Sequence, residues 1–374
     1  MRTRTPGHGP REKSRPRELN EVLDEVLSGI SAGAAARDAE PAFPEGPFRN
    51  LAASGVLGMT APGRGDDRAV SFEREWCVLR AVARADGSVG RILDGHFNAV
   101  ERVSVLAPEP LRSAELEAIT AGELRLGVWG ADPIPGEGEP ARLLEGGARV
   151  SGVKTFCSGS TGLDRAVVLV RGEDGAPGPP LVAYVDLSEG AAVDTTWFRG
   201  YGMRSSESHR VVFDGARVLA VLGRPGELLR EPYFSRDAVR TAVTWAGIAD
   251  LAVGSALDLL ATKSAGRDPD DLVSLAAGKL LTAQGTMDRW LEFAAATADR
   301  GASLSGFSTQ LREAVASACR DILDEATRAV GSHPFATAGP LDRARRDLEL
   351  YLLQHRLEPA LARRGRAAIG ERRP

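Results

Sequence analysis

A short turn carries the residues of this chain that are best suited to chemistry. Residues 154–160 read Lys-Thr-Phe-Cys-Ser-Gly-Ser and lie between an alternating run and the apolar run 165–170. This pattern predicts two β-strands joined by a tight turn. Such a turn presents backbone N–H groups, the Ser158 hydroxyl and the aromatic face of Phe156 to a flat ligand. Ser/Gly turns join strands in many proteins, so the segment alone leaves an ordinary hairpin open.

Histidine and arginine side chains form the second group of candidates. His96 lies on an apolar stripe, where a core histidine is as good an explanation as a catalytic one. His209 stands at a predicted strand start, which suits a structural role or contact with a substrate tail. Arg240 either binds an anionic substrate or lies on a solvated helix face. The five histidines do not pair at metal-ligand spacing, so we predict no metal site.

The composition is typical of a soluble protein with hydrophobic cores. The chain has 374 residues, of which 43% are hydrophobic and 26% charged, and this length favours two or three domains. The formal net charge of −4 gives no reason to expect a nucleic-acid partner. Cys77, Cys157 and Cys319 are odd in number and far apart, which predicts buried free thiols in a reducing compartment. We therefore expect a cytoplasmic location.

The sequence gives no indication of a membrane partner or of secretion. We expect no membrane span, because no apolar run approaches the length of one, and the Arg- and Pro-rich start lacks the apolar core of a secretory signal. Residues 1–16 are expected to form a disordered tail.

The apolar spacing changes twice and predicts three domains. Residues 17–122 follow a helical period, residues 123–230 a period of two, and residues 231–374 a helical period again. The predicted fold class is α+β multidomain, with an N-terminal helical domain, a middle small β-barrel or sandwich domain and a C-terminal four-helix bundle.

Individual elements follow from the same periods. In the N-terminal domain we predict helices over 70–85, 89–106 and 111–121. In the β domain we predict strands over 126–130, 148–156, 166–170, 181–185, 192–196 and 210–213. In the bundle we predict helices over 238–264, 270–298, 308–330 and 341–366, the last kinked at Pro359.

Four local patterns occur in order along these regions. They are Val-Trp-Gly-Ala-Asp-Pro at 128–133, Gly-Val-Lys-Thr-Phe-Cys-Ser-Gly at 152–159, Gly-Met-Arg-Ser-Ser at 202–206 with Val-Val-Phe at 211–213, and Leu-Asp-Arg-Ala-Arg-Arg-Asp at 341–347. Each resembles a segment of the acyl-CoA dehydrogenase superfamily of flavoproteins, in the corresponding domain. No single pattern is specific, but four in order carry the resemblance, which spans from about residue 18 to the C-terminus.

The resemblance implies a flavin cofactor, with FAD expected first and FMN as the alternative. By resemblance, Phe156 stacks near the isoalloxazine ring and the Ser158 hydroxyl contacts its N5 atom. Trp129, Ala131 and Asp132 are expected to present backbone groups to the ring edge.

Further expectations come from the same resemblance. Gly331 stands in what remains of a glycine turn that contacts the cofactor. The family also implies a homodimer or homotetramer formed through the C-terminal bundle, a small-molecule substrate, and a flavin reductase or an electron-transfer protein as partner.

The sequence departs from the family pattern at several places. Typical members carry a catalytic Glu after the Arg-Asp pair, and counting from Arg346-Asp347 places Gln354-His355 in that slot. Histidine acts as a base near neutral pH, so His355 is the expected base. Arg346 and Asp347 are expected to form a buried ion pair. In the loop 136–138, an acid replaces the hydroxyl that meets flavin phosphate in the family.

A histidine in this slot resembles a second branch of the superfamily, the two-component monooxygenases that use reduced flavin and oxygen. Members of that branch also carry a histidine after an Ala-Asp-Ser stretch in the N-terminal domain, as His96 follows Ala-Asp-Gly-Ser at 85–88. His96 and His355 are expected to meet across the flavin cleft as proton donor and base.

Three functions therefore follow as hypotheses. The first is an acyl-CoA dehydrogenase-like oxidoreductase, which oxidises an acyl thioester or similar small substrate by hydride transfer to flavin N5. The second is a reduced-flavin-dependent monooxygenase. The third is a catalytically inactive scaffold of the same fold. No segment specifies the substrate.

Overall fold

The computed structural model of the protein describes residues 19–62, 68–176, 178–354 and 356–372. The tail expected at 1–16 lies outside these ranges. The N-terminal region contains helices α1 (Leu19–Ala39), α2 (Glu45–Ala53), α3 (Phe72–Ala85), α4 (Gly87–Leu106) and α5 (Leu111–Thr120). The three helices predicted at 70–85, 89–106 and 111–121 are confirmed, with ends within about two residues. Helix α2 was missed.

Capping side chains set where α3 and α4 begin. Ser71 Oγ accepts a hydrogen bond from the Arg74 N–H at the start of α3. Asp86 Oδ1 accepts from the N–H groups of Ser88 and Val89 at the start of α4. These caps satisfy donors that a helix start leaves free. Asp86 alone separates the two helices, so their relative position is tightly constrained.

Seven strands form the middle region. They are β1 (Leu126–Trp129), β2 (Arg142–Leu144), β3 (Arg149–Cys157), β4 (Arg165–Val170), β5 (Leu181–Asp186), β6 (Ala191–Asp194) and β7 (His209–Val221). All six predicted strands are present, and β2 was missed because only three residues pair. The strand order is β1-β4-β5-β7-β3-β2, with β6 also paired to β7. Strands β1 and β4 are parallel, and the other named pairs are antiparallel.

The long strand β7 joins two parts of this sheet. Its residues 209–217 pair with β3 and, over 210–213, also with β6, whereas residues 218–221 pair with β5. The predicted strand over 210–213 covered only the first part, since Gly215 interrupts the alternation. One strand therefore holds the turn after β3 in a fixed place relative to β1 and β4.

The C-terminal region is helical, as predicted. It contains α6 (Tyr233–Lys263), α7 (Asp271–Asp299), α8 (Ser308–Val330), the short α9 (His333–Ala336), α10 (Pro340–Tyr351) and α11 (Glu358–Gly370). The predicted fourth helix is broken rather than kinked at Pro359. Helix α10 ends at Tyr351, a 3-10 turn follows, and Pro359 lies in the first turn of α11, where a missing N–H costs nothing.

Helix α6 is the central helix of this region. By length and composition it is apolar enough to span a membrane, contrary to the expectation that no run reaches that length, but 67% of its apolar stretch is buried inside the protein. The boundaries expected for the three domains stay a prediction. Of the three free cysteines, Cys157 and Cys319 are buried as expected, whereas Cys77 is exposed.

Gly247 allows α6 to pack closely on α3. A Cβ at Gly247 would collide with the carbonyl oxygen of Arg80 and lie 2.7 Å from Ala83 Cβ. Gly254 lies two turns further along the same helix, and a Cβ there would meet only Arg84 Nη2, at 3.6 Å. The close approach therefore depends on Gly247 and not on Gly254.

We expect Gly247→Ala to lower the free energy of unfolding by about 1–3 kcal/mol, because the added methyl group overpacks the contact with α3. The matched variant Gly254→Ala should leave stability unchanged or raise it by up to about 1 kcal/mol, since Ala is the better helix former. Urea unfolding followed by circular dichroism measures both. Equal midpoints for the two variants would contradict the close packing.

Candidate functional site

A cavity of about 710 Å³ lies between the sheet and the helices. This volume is within the range of small-molecule sites. The sheet side contributes Val128, Ala131, Phe156 and Ser158, and helix α4 contributes Arg91, Asp94 and Asn98. The C-terminal helices contribute Asp237, Thr241, Arg312 and Tyr351, together with Gln354 from the 3-10 turn. The cavity therefore combines all three regions of the chain.

The turn singled out in the sequence lies at this cavity. A shift in the pairing of β3 with β7 occurs between Lys154 and Cys157, and Phe156 adopts a positive φ of 52° there. The irregularity aims the Phe156 ring outward, 54% exposed, with its edge-to-face contact to Trp197 at 4.9 Å between ring centroids. Cys157 is buried, as strand alternation predicted. A non-glycine residue at positive φ is strained, and such strain is common at functional sites.

Three serine hydroxyls form a row in the cavity wall. Ser158 Oγ lies 2.9 Å from Ser208 Oγ, which lies 2.7 Å from Ser206 Oγ. All three residues line the cavity. Sequence reasoning identified Ser158 but missed Ser206 and Ser208. Their signal was the Ser-rich run 205–208, which reaches the cavity because it precedes β7, the partner of β3.

The residues after β1 support this turn in different ways. The buried indole of Trp129 donates a hydrogen bond to the carbonyl oxygen of Ser158 at 3.0 Å. Ala131 lines the cavity. Asp132 accepts a hydrogen bond from Lys154 Nζ at 2.7 Å. Trp129 and Asp132 therefore tie the turn to β1 through their side chains, and the carbonyl oxygen of Ala131 accepts from the Thr155 N–H at 3.1 Å.

The structure does not bring His96 to the cavity. Its Nε2–H donates to the Leu57 carbonyl oxygen at 2.9 Å, and its Nδ1 accepts from the Leu126 N–H at 3.0 Å. The ring is fully buried, and this burial lowers the pKa of His96 to about 4. His96 is thus a neutral link between α4 and β1. His355 lies outside the described residues, and its neighbour Gln354 lines the cavity.

Arg240 also has no group free for a substrate. Its guanidinium is fully buried, with Nε donating to Glu75 Oε1 at 2.6 Å and Nη1 donating to Glu101 Oε2 at 2.8 Å. Burial by itself would raise the pKa of Glu101, but the charges of Arg240 and Arg236 outweigh it and lower this pKa to about 2. Arg240 therefore neutralises buried carboxylates, and Asp237 and Thr241 line the cavity beside it.

Two further candidates lie beside the site rather than in it. His209 is buried, its Nε2 is 3.2 Å from Glu207 Oε2, and its ring packs against Phe198. Its neighbour Ser208 lines the cavity in its place. Gly331 caps the end of α8 with φ of 79° and is not among the cavity-lining residues.

The cavity contains a buried acid that sequence reasoning missed. Asp94 Oδ2 accepts from the Tyr351 hydroxyl at 3.1 Å, and Oδ1 accepts from Asn98 Nδ2 at 3.1 Å. Arg91 Nη1 is 3.3 Å from Oδ2. Burial raises the pKa of Asp94, against the opposing effect of the Arg91 charge. Asp94 can therefore hold a proton at the cavity wall, next to the Tyr351 phenol.

The spacing of residues along α4 explains why Asp94, and not the predicted His96, faces the cavity. Residues 91, 94 and 98 are three and four apart, so they share one face of α4. His96 is two residues from both Asp94 and Asn98 and so points to the opposite face. The one-face spacing of charged and amide side chains was the signal available in the sequence.

The expected ion pair of Arg346 with Asp347 is replaced by other partners. Arg346 binds Asp38 at 2.6 Å and Asp342 at 2.8 Å. Asp347 instead accepts a hydrogen bond from the Met203 N–H at 2.5 Å. Adjacent residues on a helix point about 100° apart, so these two side chains reach different neighbours. Both anchor the loop that follows β6 to helix α10.

Comparisons with known proteins now add to this geometry. No family model matches the chain. Among curated relatives, a dibenzothiophene monooxygenase of Rhodococcus erythropolis is 26% identical over 198 residues, 49% of this chain. An amino sugar nitrososynthase, DnmZ of Streptomyces peucetius, is 30% identical over 249 residues, 63% of this chain. The matches cover 44% and 60% of those two relatives.

Solved structures match over nearly the whole chain. Butyryl-CoA dehydrogenase of Megasphaera elsdenii is 15% identical, with a TM-score of 0.81 over 95% of this chain and 99% of that one. The chain therefore has the acyl-CoA dehydrogenase fold. FMN-bound TdsC of Paenibacillus sp. A11-2 is 20% identical, with a TM-score of 0.78 over 96% of this chain and 98% of that one. This fold is thus shared with dehydrogenase and monooxygenase structures alike.

The buried carboxyl of Asp347 predicts a pH dependence of stability. Burial raises its pKa to about 7, with the nearby charge of Asp86 adding to the shift. The unfolded value is about 3.8, so the folded state binds more protons between the two values. The stability that Asp347 contributes is full below about pH 4 and is lost as pH rises to about 7.

We therefore expect the unfolding free energy of the wild type, relative to Asp347→Asn, to fall by on the order of 1 kcal/mol per pH unit between about pH 4 and 7. Urea unfolding at several pH values measures this difference. Glu349→Gln, a more exposed site on the same helix, supplies the background. A pH-independent difference for Asp347→Asn would show that its carboxyl titrates normally.

Proposed function

We propose that this protein is a flavin-dependent oxidoreductase that uses reduced flavin and oxygen to oxygenate a small molecule. The observation that carries the proposal is the cavity itself, where the strained Phe156 turn and the serine row face a buried acid rather than a free carboxylate. The similarity to a dibenzothiophene monooxygenase and to a nitrososynthase supports the same direction.

The residues of the cavity suit a flavin ring. Phe156 supplies an exposed aromatic ring, Gly130 and Ala131 line one edge of the cavity, and the Ser158 hydroxyl would supply a contact for the ring nitrogen. When bound, a flavin supplies two-electron chemistry and, once reduced, reaction with oxygen. FMN is the form we propose first, since solved neighbours with this fold hold it, and FAD is the alternative.

The groups that handle protons favour oxygenation over dehydrogenation. Removal of a substrate proton needs a free base, and Gln354, the residue of the family slot that the structure describes, is not one. Asp94 is instead held by Tyr351, Asn98 and Arg91, and burial favours its protonated form. Asp94 and Tyr351 together can deliver a proton to an oxygen atom at the cavity wall while the surrounding apolar side chains exclude water.

Dehydrogenation is the second candidate, because butyryl-CoA dehydrogenase shares the fold. A carboxylate with a raised pKa is also a stronger base, so Asp94 would then accept the proton. A flavin reductase as partner, assembly through the C-terminal helices and a cytoplasmic location complete the proposal. Free thiols at Cys77, Cys157 and Cys319 are consistent with that compartment.

Flavin reduction distinguishes the two chemistries. The purified protein should bind FMN. Anaerobic addition of butyryl-CoA should then leave the absorbance of the flavin band at about 450 nm unchanged. With chemically reduced FMN and ¹⁸O₂, a panel that includes indole should give a product that carries the isotope. Bleaching by the thioester without oxygen would support dehydrogenation, and a protein that binds neither oxidised nor reduced flavin would support the scaffold hypothesis.

The serine row predicts a specific loss of flavin affinity. Ser158→Ala removes the hydroxyl that faces the ring, and FMN binding should weaken about 5- to 10-fold, the effect of one hydrogen bond. Ser160→Ala is the control, because Ser160 is a buried serine of the same turn whose hydroxyl donates to the Glu207 carbonyl oxygen and does not line the cavity. Fluorescence titration with FMN measures both. Similar losses for both variants would point to a general effect on the turn.

A further inference from the structure

Arg312 of helix α8 lines the cavity with an unsatisfied guanidinium. Its Nε and Nη2 are buried and have no hydrogen-bond partner among the described residues. The guanidinium carbon lies 5.4 Å from the centre of the Trp245 ring, so the side chain rests on an aromatic surface. A buried N–H donor without a partner is costly and needs an explanation.

Nearby arginines differ from Arg312 in having a carboxylate partner, although Arg102 also has two buried guanidinium nitrogens without a hydrogen bond. Arg91, which also lines the cavity, is paired with Asp94. Arg102 donates to Asp237 at 2.5 Å, and Arg240 binds Glu75 and Glu101. The fold therefore supplies carboxylates to the arginines around the cavity and leaves Arg312 without one.

Asp94, whose charge acts on Arg312, is not its hydrogen-bonded partner. Asp94 contributes to the electrostatics of Arg312, but its oxygens accept from Tyr351, Asn98 and Arg91. Burial lowers the pKa of Arg312 to about 10, so the guanidinium still carries its charge at neutral pH. Among the described residues, Arg312 thus places on the helical side of the cavity a positive charge with no hydrogen-bonded carboxylate.

We propose that Arg312 binds an anionic group of the substrate, and that the substrate class is a small molecule with an apolar body and a carboxylate or similar oxyanion. The guanidinium fork matches two oxygens of such a group. The apolar body would contact the surrounding side chains, which include Leu228, Phe234 and Leu350. The inference rests on the proposed function only in taking this cavity as the substrate site.

A pair of probes of equal shape isolates the charge. The wild-type protein, saturated with FMN, is titrated calorimetrically with 2-naphthoate and with the neutral 2-naphthamide. We expect naphthoate to bind about tenfold to a hundredfold more tightly, the range for a hydrogen-bonded charge. Arg312→Met should abolish this preference without changing the naphthamide affinity, and Arg312→Lys should retain part of it.

Stability measurements separate binding from folding. If Arg312 holds no structural partner, Arg312→Met should melt at the wild-type temperature or above it, because an unpaired buried charge is removed. Arg320→Met, an exposed site on the same helix, is the matched control and should keep the naphthoate preference. A wild type without preference for naphthoate, or an Arg312→Met variant that keeps it or loses both probes equally, would overturn the inference.

The anion could also come from the flavin phosphate, and a second titration separates the sources. Binding of FMN and of riboflavin, which lacks the phosphate, is measured for the wild type and Arg312→Met. Equal effects on both flavins support the substrate assignment, whereas weaker binding of FMN alone would overturn it. The naphthoate titration is also repeated without flavin, which needs no turnover. If the protein takes up no flavin but still binds naphthoate in a way that depends on Arg312, the proposed function is refuted and this inference stands.

Discussion

The burial of a polar face on helix α4 is the constraint on which the rest of the structure depends. Asp94, Glu101 and Arg102 all lie in the interior, because α4 packs between the sheet and α6. Buried charges are tolerated only when they are paired and hydrogen-bonded. Helix α6 supplies the pairing through Arg240 and Asp237, and α10 supplies the Tyr351 hydroxyl. The positions of three helices are thereby coupled to one another.

This coupling also shapes the cavity. Because Arg240 and Asp237 pair with α4, the other charged groups of the described cavity lining are Asp94 with its partner Arg91, and Arg312, which has no hydrogen-bonded carboxylate. The opposite wall has the serine row and the strained Phe156, held by β7 and by the Trp129 indole. One wall thus suits a flat polar-edged ring, and the other suits proton transfer and an anionic group.

Periodicity predicted much of the fold, and local chemistry predicted part of the site. Long helices and most strands were evident, because burial of one face imposes a regular spacing on the sequence. The turn with Phe156 and Ser158 was evident for the same reason, since it interrupts that spacing. Strand β2 and the break after Tyr351 were not, because both depend on contacts made by distant segments.

Side-chain direction limited the prediction of the site. His96 has a suitable chemistry, but its two ring nitrogens bind backbone groups of Leu57 and Leu126, which are far away in sequence. Arg240 has a suitable charge, but its guanidinium is paired with Glu75 and Glu101. The sequence by itself determined the elements, their order and the turn, because these follow from local spacing. Only the tertiary structure decided which polar groups are satisfied and which face the cavity, because each pairing joins residues that packing alone brings together.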